Sequence, residues 1–330
     1  VKIRVALVYN QPSTDRYGAM GESAAELGVL DEVAAVSCAL AELNYAYLPV
    51  PLLPPLSRVR ETLRAIKADV VFNLFEGFEG SPETEAEVAS IYSEFKLPFT
   101  GCPPAALRLA LDKSQSKTIL RAAGVATPEY QVLTADSLDS FKLKLPCIVK
   151  PPADDSSHGI SEASVVYDIA ALRQQTLAIC RLFGGRALVE EFVDGREFNT
   201  VVIGNKRLSI PAVSEIVYTL PPGKPRLLTF ESKWAEDSVY YKNTRAVCPA
   251  DITEPAKAKI AKAARRAFRA LGCRGYARVD FRQNRRGEYL ALEVNPNPDI
   301  TPGAGVSLQI AAAGLSYAAF VEKVIRLALK

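Results

Sequence analysis

Three short apolar runs, Val5–Tyr9, Tyr45–Val50 and Val70–Leu74, alternate with two stretches of helical periodicity within the first 75 residues. A strand followed by a helix and then another strand returns the chain to the same end of a sheet, so these strands must run parallel. That interleaving confines the N-terminal third to a doubly wound parallel sheet. Glu22–Leu43 supplies the first helix. Pro51, Pro54 and Pro55 then interrupt the chain, and Ser57 is the expected N-cap of a second helix running to about Lys67. A length of 330 residues predicts two or three domains, and Gly101-Cys102-Pro103-Pro104 is the first candidate boundary.

Beyond it, Leu111–Ala123 has helical periodicity and Gly124 is a fitting stop. Cys147–Lys150, Leu188–Phe192 and Phe198–Ile203 read as strands. The Pro-containing stretch Leu220–Ala250 has no clear period, which is the usual mark of a lid or a long loop. Thr253 caps a helix to Leu271, with Pro255 in its first turn and Gly272 ending it. Tyr276–Arg282 and Glu288–Val294 form a hairpin across Asn284-Arg285-Arg286-Gly287, and Ser316 opens a final helix.

Three segments carry chemistry. Side chains alternate across a strand, so Arg278 and Asp280 share one face of the hairpin, opposite Ala277, Val279 and Phe281. On its partner strand Glu293 and Asn295 oppose Leu290, Leu292 and Val294. Asp, Glu and Asn oxygens suit magnesium, and a guanidinium beside them suits a developing anion. The alternation alone fits a solvated face with incidental salt bridges equally well. The loop Lys150–Ile160 follows an apolar strand. Its small residues Ser156, Ser157 and Gly159 let amides and hydroxyls approach phosphate oxygens, although a Ser/Gly turn is commonly no more than a turn. It is not a Walker loop, and His158 has no expected catalytic duty. Ala187–Phe198 places carboxylates beside apolar residues, as a strand offering its backbone to a purine edge would, or as an edge strand with solvent-facing acids.

The net charge of +3 excludes a strong field for nucleic acid or membrane. The basic residues Lys257, Lys259, Lys262, Arg265, Arg266 and Arg269 therefore read as one solvated helix face. No apolar run reaches a membrane span, and the first residues read as a buried strand rather than a signal peptide. Six scattered cysteines without a CxxC pair, and one histidine, argue against zinc and for reduced thiols in a cytoplasmic protein.

In this order and spacing the segments resemble the ATP-grasp superfamily, and within it the D-alanine–D-alanine ligase family. The similarity is specific from Leu111 onward. It implies an α/β protein, α+β in the ATP-grasp part. A Rossmann-like domain (1–101) would precede two ATP-grasp subdomains (102–189 and 190–330) that hold ATP between them. Leu111-Asp112-Lys113 resembles the element whose lysine contacts phosphate. Lys150 resembles the second ATP lysine, and Ser156-Ser157-His158-Gly159-Ile160 the loop over the phosphates. Glu190, Glu191, Phe192 and Val193 resemble the adenine hinge, Glu197 the ribose ligand, and Leu292 joins them in the nucleotide set. Lys233 resembles the lysine of the mobile omega loop. Arg278 resembles the catalytic arginine, and Asp280, Glu293 and Asn295 the ligands of Mg2+ (or Mn2+). Pro302-Gly303 and Ser307-Leu308 resemble the loop that binds substrate carboxylate and supplies an oxyanion amide. The implied reaction is amide formation between two small molecules, a carboxylate and an amine, through an acyl phosphate. A homodimer is typical of the family.

Four departures fall where the amino-acid substrates should sit. The family's glycine-rich motif with its amine-binding glutamate is replaced by Tyr9–Gly18, leaving Glu22 or Glu26 as substitutes. Its His-Gly motif is Glu76-Gly77-Phe78-Glu79-Gly80 here. Trp234 stands where tyrosine is expected, and 295–303 is about three residues longer. Two amino acids are the leading substrates. One of them could instead be a non-amino-acid scaffold, as in mycosporine-type ligases. A regulatory ATP-binding protein without turnover is the alternative of another class.

Overall fold

A computed structural model describes residues 3–12, 24–78, 80–153 and 157–330. Ser156 and Glu22 lie outside the described residues, as does the side chain of Glu26. Strands β1 (Arg4–Asn10), β2 (Ala46–Leu52) and β3 (Val70–Leu74) form a parallel sheet in the order β2-β1-β3. Its central strand is nearly buried, as a strand covered by helices on both faces must be. Helix Ala24–Glu42 and the last helix, Tyr317–Ala328, share one core with this sheet, through Val36, Leu40, Phe72, Phe320 and Val324.

A second sheet, β4 (Tyr130–Leu133), β5 (Cys147–Lys150), β6 (Val165–Val166) and β7 (Ala187–Glu191), runs in the order β4-β7-β5-β6. It has its own core with helix Ile169–Leu182, built on Val149, Leu172, Ile179 and Val189. The third sheet is antiparallel, in the order β10-β9-β8-β11-β12. Its strands are β8 (Glu197–Ile203), β9 (Ser214–Tyr218), β10 (Thr244–Val247), β11 (Tyr276–Gln283) and β12 (Tyr289–Asn295). Val279, Phe281, Ala291 and Val294 of this sheet pack with Phe75, Tyr92 and Leu107 in one continuous core that reaches into the N-terminal third.

Several expectations change. The helix expected over Leu111–Ala123 runs Lys113–Ala122, and a separate helix, Pro104–Leu111, precedes it. Asp112 separates them in an extended conformation, and its carboxylate accepts from the amides of Ser114 and Gln115 at 3.0 and 3.1 Å. Helix Leu56–Ala65 starts after Pro55 without a side-chain cap, so Ser57 is inside it. The stretch Leu220–Ala250 contains two short helices, Phe230–Trp234 and Val239–Lys242, and ends in β10. Its base is closed where the Thr219 amide donates to the Asn243 carbonyl at 2.8 Å.

The hairpin forms as read, with Asn284 Oδ1 accepting from the amides of Arg286 and Glu288 in the turn. Strict alternation fails at one point. Asp280 faces Glu293, but Phe281 faces Ala291, so Leu292 is bulged out of register. Ala291 therefore joins Val294 in the core, and Leu292 leaves the apolar face that alternation assigned to it.

Candidate active site

The end of β7, the hairpin β11–β12 and helix Lys113–Ala122 meet around a set of buried charges. The Asp112 cap starts that helix and places Lys113 and Lys117 one turn apart on the same face. Lys117 is 1% exposed. Its Nζ lies 3.2 Å from Glu190 Oε1 and donates to the Leu292 carbonyl at 3.0 Å, which the bulge turns toward it. Lys150, at the end of β5, reaches the same Glu190 oxygen at 3.0 Å. Glu190, also 1% exposed, thus bridges two lysines. Burial favours its neutral form, but Lys117 and Lys150 outweigh that and hold its carboxyl below the usual range. Burial pushes Lys117 down to about 8 against the pull of Glu190, and Lys150 adds to the fall.

The sequence reading missed Lys117. Its only local signal is the spacing of four from Lys113. It placed Glu190 at the hinge but gave its side chain no role. Among the other hinge residues, the amides of Glu191 and Phe192 are engaged by the carbonyls of Glu129 and Pro146 at 2.8 and 3.0 Å. The Val193 carbonyl accepts from Arg282 Nη1 at 3.0 Å. Glu197 is buried, and its Oε2 accepts from Tyr218 Oη at 2.6 Å and Arg282 Nε at 3.1 Å. Arg282 and Tyr218, which the sequence pattern does not single out, hold one oxygen of the carboxylate expected to meet ribose.

Arg278 and Asp280 form a two-pronged pair, Nε to Oδ1 at 2.7 Å and Nη2 to Oδ2 at 2.8 Å. Asp280 stands directly across from Glu293, and Arg278 across from Asn295, so the polar face expected from alternation is assembled. Lys113 Nζ lies 3.7 Å from Glu293 Oε2. Burial opposes ionisation of Glu293, but Lys113, Lys150, Arg278 and Lys233 together hold it down at about 2. Two carboxylates, one kept ionised, and an amide oxygen form a hard donor set of the kind that suits a divalent cation. Among the described residues no three acidic, His or Cys side chains gather closely enough to complete such a site alone. Asn295 Oδ1 also accepts from the Asn297 amide at 3.0 Å, which fixes the turn that follows.

Ser157 and Gly159 both have positive φ, 64° and 69°. A Cβ on Gly159 would lie 2.7 Å from the Phe183 ring, so this turn needs glycine. His158 is buried and stacks on Phe230 at 5.5 Å, and the Phe230 amide donates to the Ile160 carbonyl at 3.1 Å. The segment carrying Lys233 is thereby fastened to the loop after Lys150. Trp234, on the same short helix, reaches the N-terminal third, where a Cβ on Gly28 would lie 3.1 Å from its ring. Lys233 keeps an exposed surface, yet crowding by protein atoms and the charge of Arg278 lower its pKa. The Gly303 amide donates to Ser307 Oγ at 2.9 Å, and that hydroxyl also contacts the carbonyls of Thr301 and Ala304. In this arrangement Ser307 closes the turn, and the amide read as an oxyanion donor is engaged by it.

The chain is similar to known proteins over most of its length. Residues 119–326 match the family model described as D-ala D-ala ligase C-terminus. The chain is 31% identical over 293 residues to the D-alanine–D-alanine ligase of Gluconobacter oxydans (strain 621H), covering 88% of this chain and 91% of that one. The crystal structure of VanG D-Ala:D-Ser ligase from Enterococcus faecalis superposes with a TM-score of 0.76 at 21% identity, over 99% of this chain and 100% of that one. That of the D-alanine–D-alanine ligase from Bacillus anthracis complexed with ATP gives 0.75 at 20% identity, over 99% and 97%.

Proposed function

The chain belongs to the D-alanine–D-alanine ligase family, and from that premise we propose that it joins one amino acid to another as an amide, using ATP and releasing ADP and phosphate. A carboxylate does not react with an amine at neutral pH, because its leaving group would be oxide. Transfer of the γ-phosphoryl group to the carboxylate gives an acyl phosphate with a good leaving group, which the neutral amine then displaces. The observation that carries this reading is the convergence of Lys113, Lys117 and Lys150 with the facing pair Asp280 and Glu293.

In this reading Lys113 and Lys150 hold the phosphates, Glu190 keeps Lys117 and Lys150 in place, and the backbone at Val193 meets the adenine. Glu197 Oε1 faces the ribose while Oε2 is held by Arg282 and Tyr218. Asp280, Glu293 and Asn295 would hold a divalent cation, which would offset the charge of the phosphates when bound. Arg278 lies beside the reacting carbonyl, where a guanidinium stabilises a developing oxyanion. Water would hydrolyse the acyl phosphate, and the segment 219–243 excludes it by closing between Gly28 and His158.

Glu293→Gln tests the assignment. It removes a charge without changing shape, and ADP release should fall about 100-fold or more. Turnover near the wild-type rate in a folded variant would remove the metal assignment.

A further inference from the structure

Two thiols meet where the N-terminal third joins the third sheet. Cys102, just before helix Pro104–Leu111, is 3% exposed, and its Sγ contacts the carbonyls of Arg274 at 3.3 Å and Tyr276 at 3.6 Å. Cys273 lies in the turn between helix Glu254–Ala270 and β11 and shares one core with Cys102. The backbones of the two segments touch. A Cβ on Gly275, whose φ is 69°, would lie 3.1 Å from the Gly101 nitrogen, so this approach needs glycine. The Cys273 thiol is hydrogen-bonded to Cys102, and that bond, then burial, pushes it well above the usual thiol range.

A guanidinium stands beside the pair. Arg274 lies over the Phe99 ring at 4.5 Å and donates from Nη2 to the Phe99 carbonyl at 3.3 Å. Its Nε is buried and has no hydrogen-bond partner, and buried polar groups are normally satisfied. Burial lowers the pKa of Arg274, and the Cys102 sulfur acts against that fall. A cation with an unused donor offsets negative charge that develops on a neighbouring sulfur or on an oxygen added to it. Cys273 holds its proton and shares it with Cys102, so Cys102 is the attacking sulfur and Cys273 the resolving one. The turn beside Cys273 is open, since Gly272 is exposed and an added Cβ would meet nothing within 4 Å. The other thiols are placed differently. Cys147 and Cys180 each donate to a backbone carbonyl, of Lys144 and Leu133, and Cys38 is exposed.

We propose that Cys102 and Cys273 form a redox modification site, which hydrogen peroxide converts to a disulfide that ties the domain boundary to the strand carrying Arg278 and Asp280. The Cys102 sulfur attacks one peroxide oxygen and the O–O bond breaks. The other oxygen leaves as water with the thiol proton, and Cys102 becomes a sulfenic acid. The Cys273 sulfur then displaces that hydroxyl. An S–S bond forms as the S–O bond breaks, and a second water leaves with the Cys273 proton. Two electrons pass from the sulfurs to the peroxide, which ends as two waters. Arg274 offsets the charge that develops on Cys102 and its added oxygen. A small dithiol reverses the link by exchange. None of these groups takes part in the ligase reaction proposed above.

The test exposes the folded, full-length protein, first reduced and freed of reductant, to hydrogen peroxide. Remaining thiols are then alkylated in denaturant and the chain is mapped by mass. The peptides bearing Cys102 and Cys273 should be found joined, and dithiothreitol should return both to alkylatable thiols. The linked protein should unfold at higher urea than the reduced one, because the cross-link closes a long loop in the unfolded chain. Cys273→Ser should stop the reaction at a Cys102 sulfenic acid that dimedone traps. Arg274→Gln should slow formation of the link about tenfold, whereas Cys38→Ser should leave its rate unchanged. Oxidation confined to Cys38 and Cys248, with Cys102 and Cys273 still alkylated, would overturn the site. So would a link that forms only in urea, or one that forms at the wild-type rate in folded Arg274→Gln.

Discussion

Replacing Lys117 by methionine measures the electrostatic strain on which the site is built. The ammonium is 1% exposed, with Glu190 at 3.2 Å and the Leu292 carbonyl at 3.0 Å. Burial takes it from 10.5 to about 8 although Glu190 pulls the other way. That fall corresponds to about 3 kcal/mol by which folding disfavours the charged form. Between these two values the unfolded chain binds more protons than the folded one, so stability rises with pH across this window. Below about pH 8 the lysine is charged in both states and the penalty is fully present. Above about pH 10.5 it is gone. Methionine carries no proton, and the other titrating groups cancel between the two proteins. The stability of wild type minus that of Lys117→Met should therefore climb by about 3 kcal/mol from about pH 7.5 to about pH 10.5. At neutral pH the variant should lie within about 2 kcal/mol of wild type, because relief of desolvation offsets the lost pair and the orphaned Leu292 carbonyl. Urea midpoints and m-values across that range give the difference directly. A difference that is flat with pH, or that falls, would refute the burial of a charged lysine at this position.

Three more outcomes can be checked directly. Arg282→Met leaves Glu197 buried with the Tyr218 hydroxyl still donating to it and frees the Val193 and Arg226 carbonyls; it should lower stability by about 3–5 kcal/mol in denaturant titration, and a loss under about 1 kcal/mol would contradict the packing described. Gly159→Ala should raise the KM for ATP and destabilise by about 1–3 kcal/mol, since its φ is 69° and the added carbon meets Phe183; an unchanged KM would separate this turn from the phosphates. Trp234 is the single tryptophan and already packs against Gly28, so its fluorescence should shift when ATP and magnesium are added and the segment adjusts around them, and a silent signal alongside normal turnover would argue against movement at this residue.

Much of the site was legible because it depends on local periodicity. Cys147–Lys150 forms as read, Thr253 and Ser316 cap their helices through their side chains, and Arg278 and Asp280 share a face because strand side chains repeat every second residue. Asp112 was visible as part of a motif, whereas its function as a helix cap depends on the helix starting at Lys113, two residues later than periodicity placed it. The substrate end was the least legible. Glu32 lies within an ordinary-looking helix, and nothing near it in sequence shows that Ile300 and Tyr276 will close over it.

By itself the sequence determined the parallel first sheet, the polar hairpin and the positions of Lys113, Lys150, Asp280 and Glu293, since each is a statement about neighbours within a strand or a turn. Only the tertiary structure decided that Lys117 meets the carbonyl of Leu292, 175 residues away, that Glu197 is held by Arg282 from 85 residues away, and that a bulge turns Leu292 from core to site. Those contacts depend on register between strands and on how a helix docks against a sheet. Cross-strand register and docking are set by packing the whole core, and no local pattern of residues encodes them.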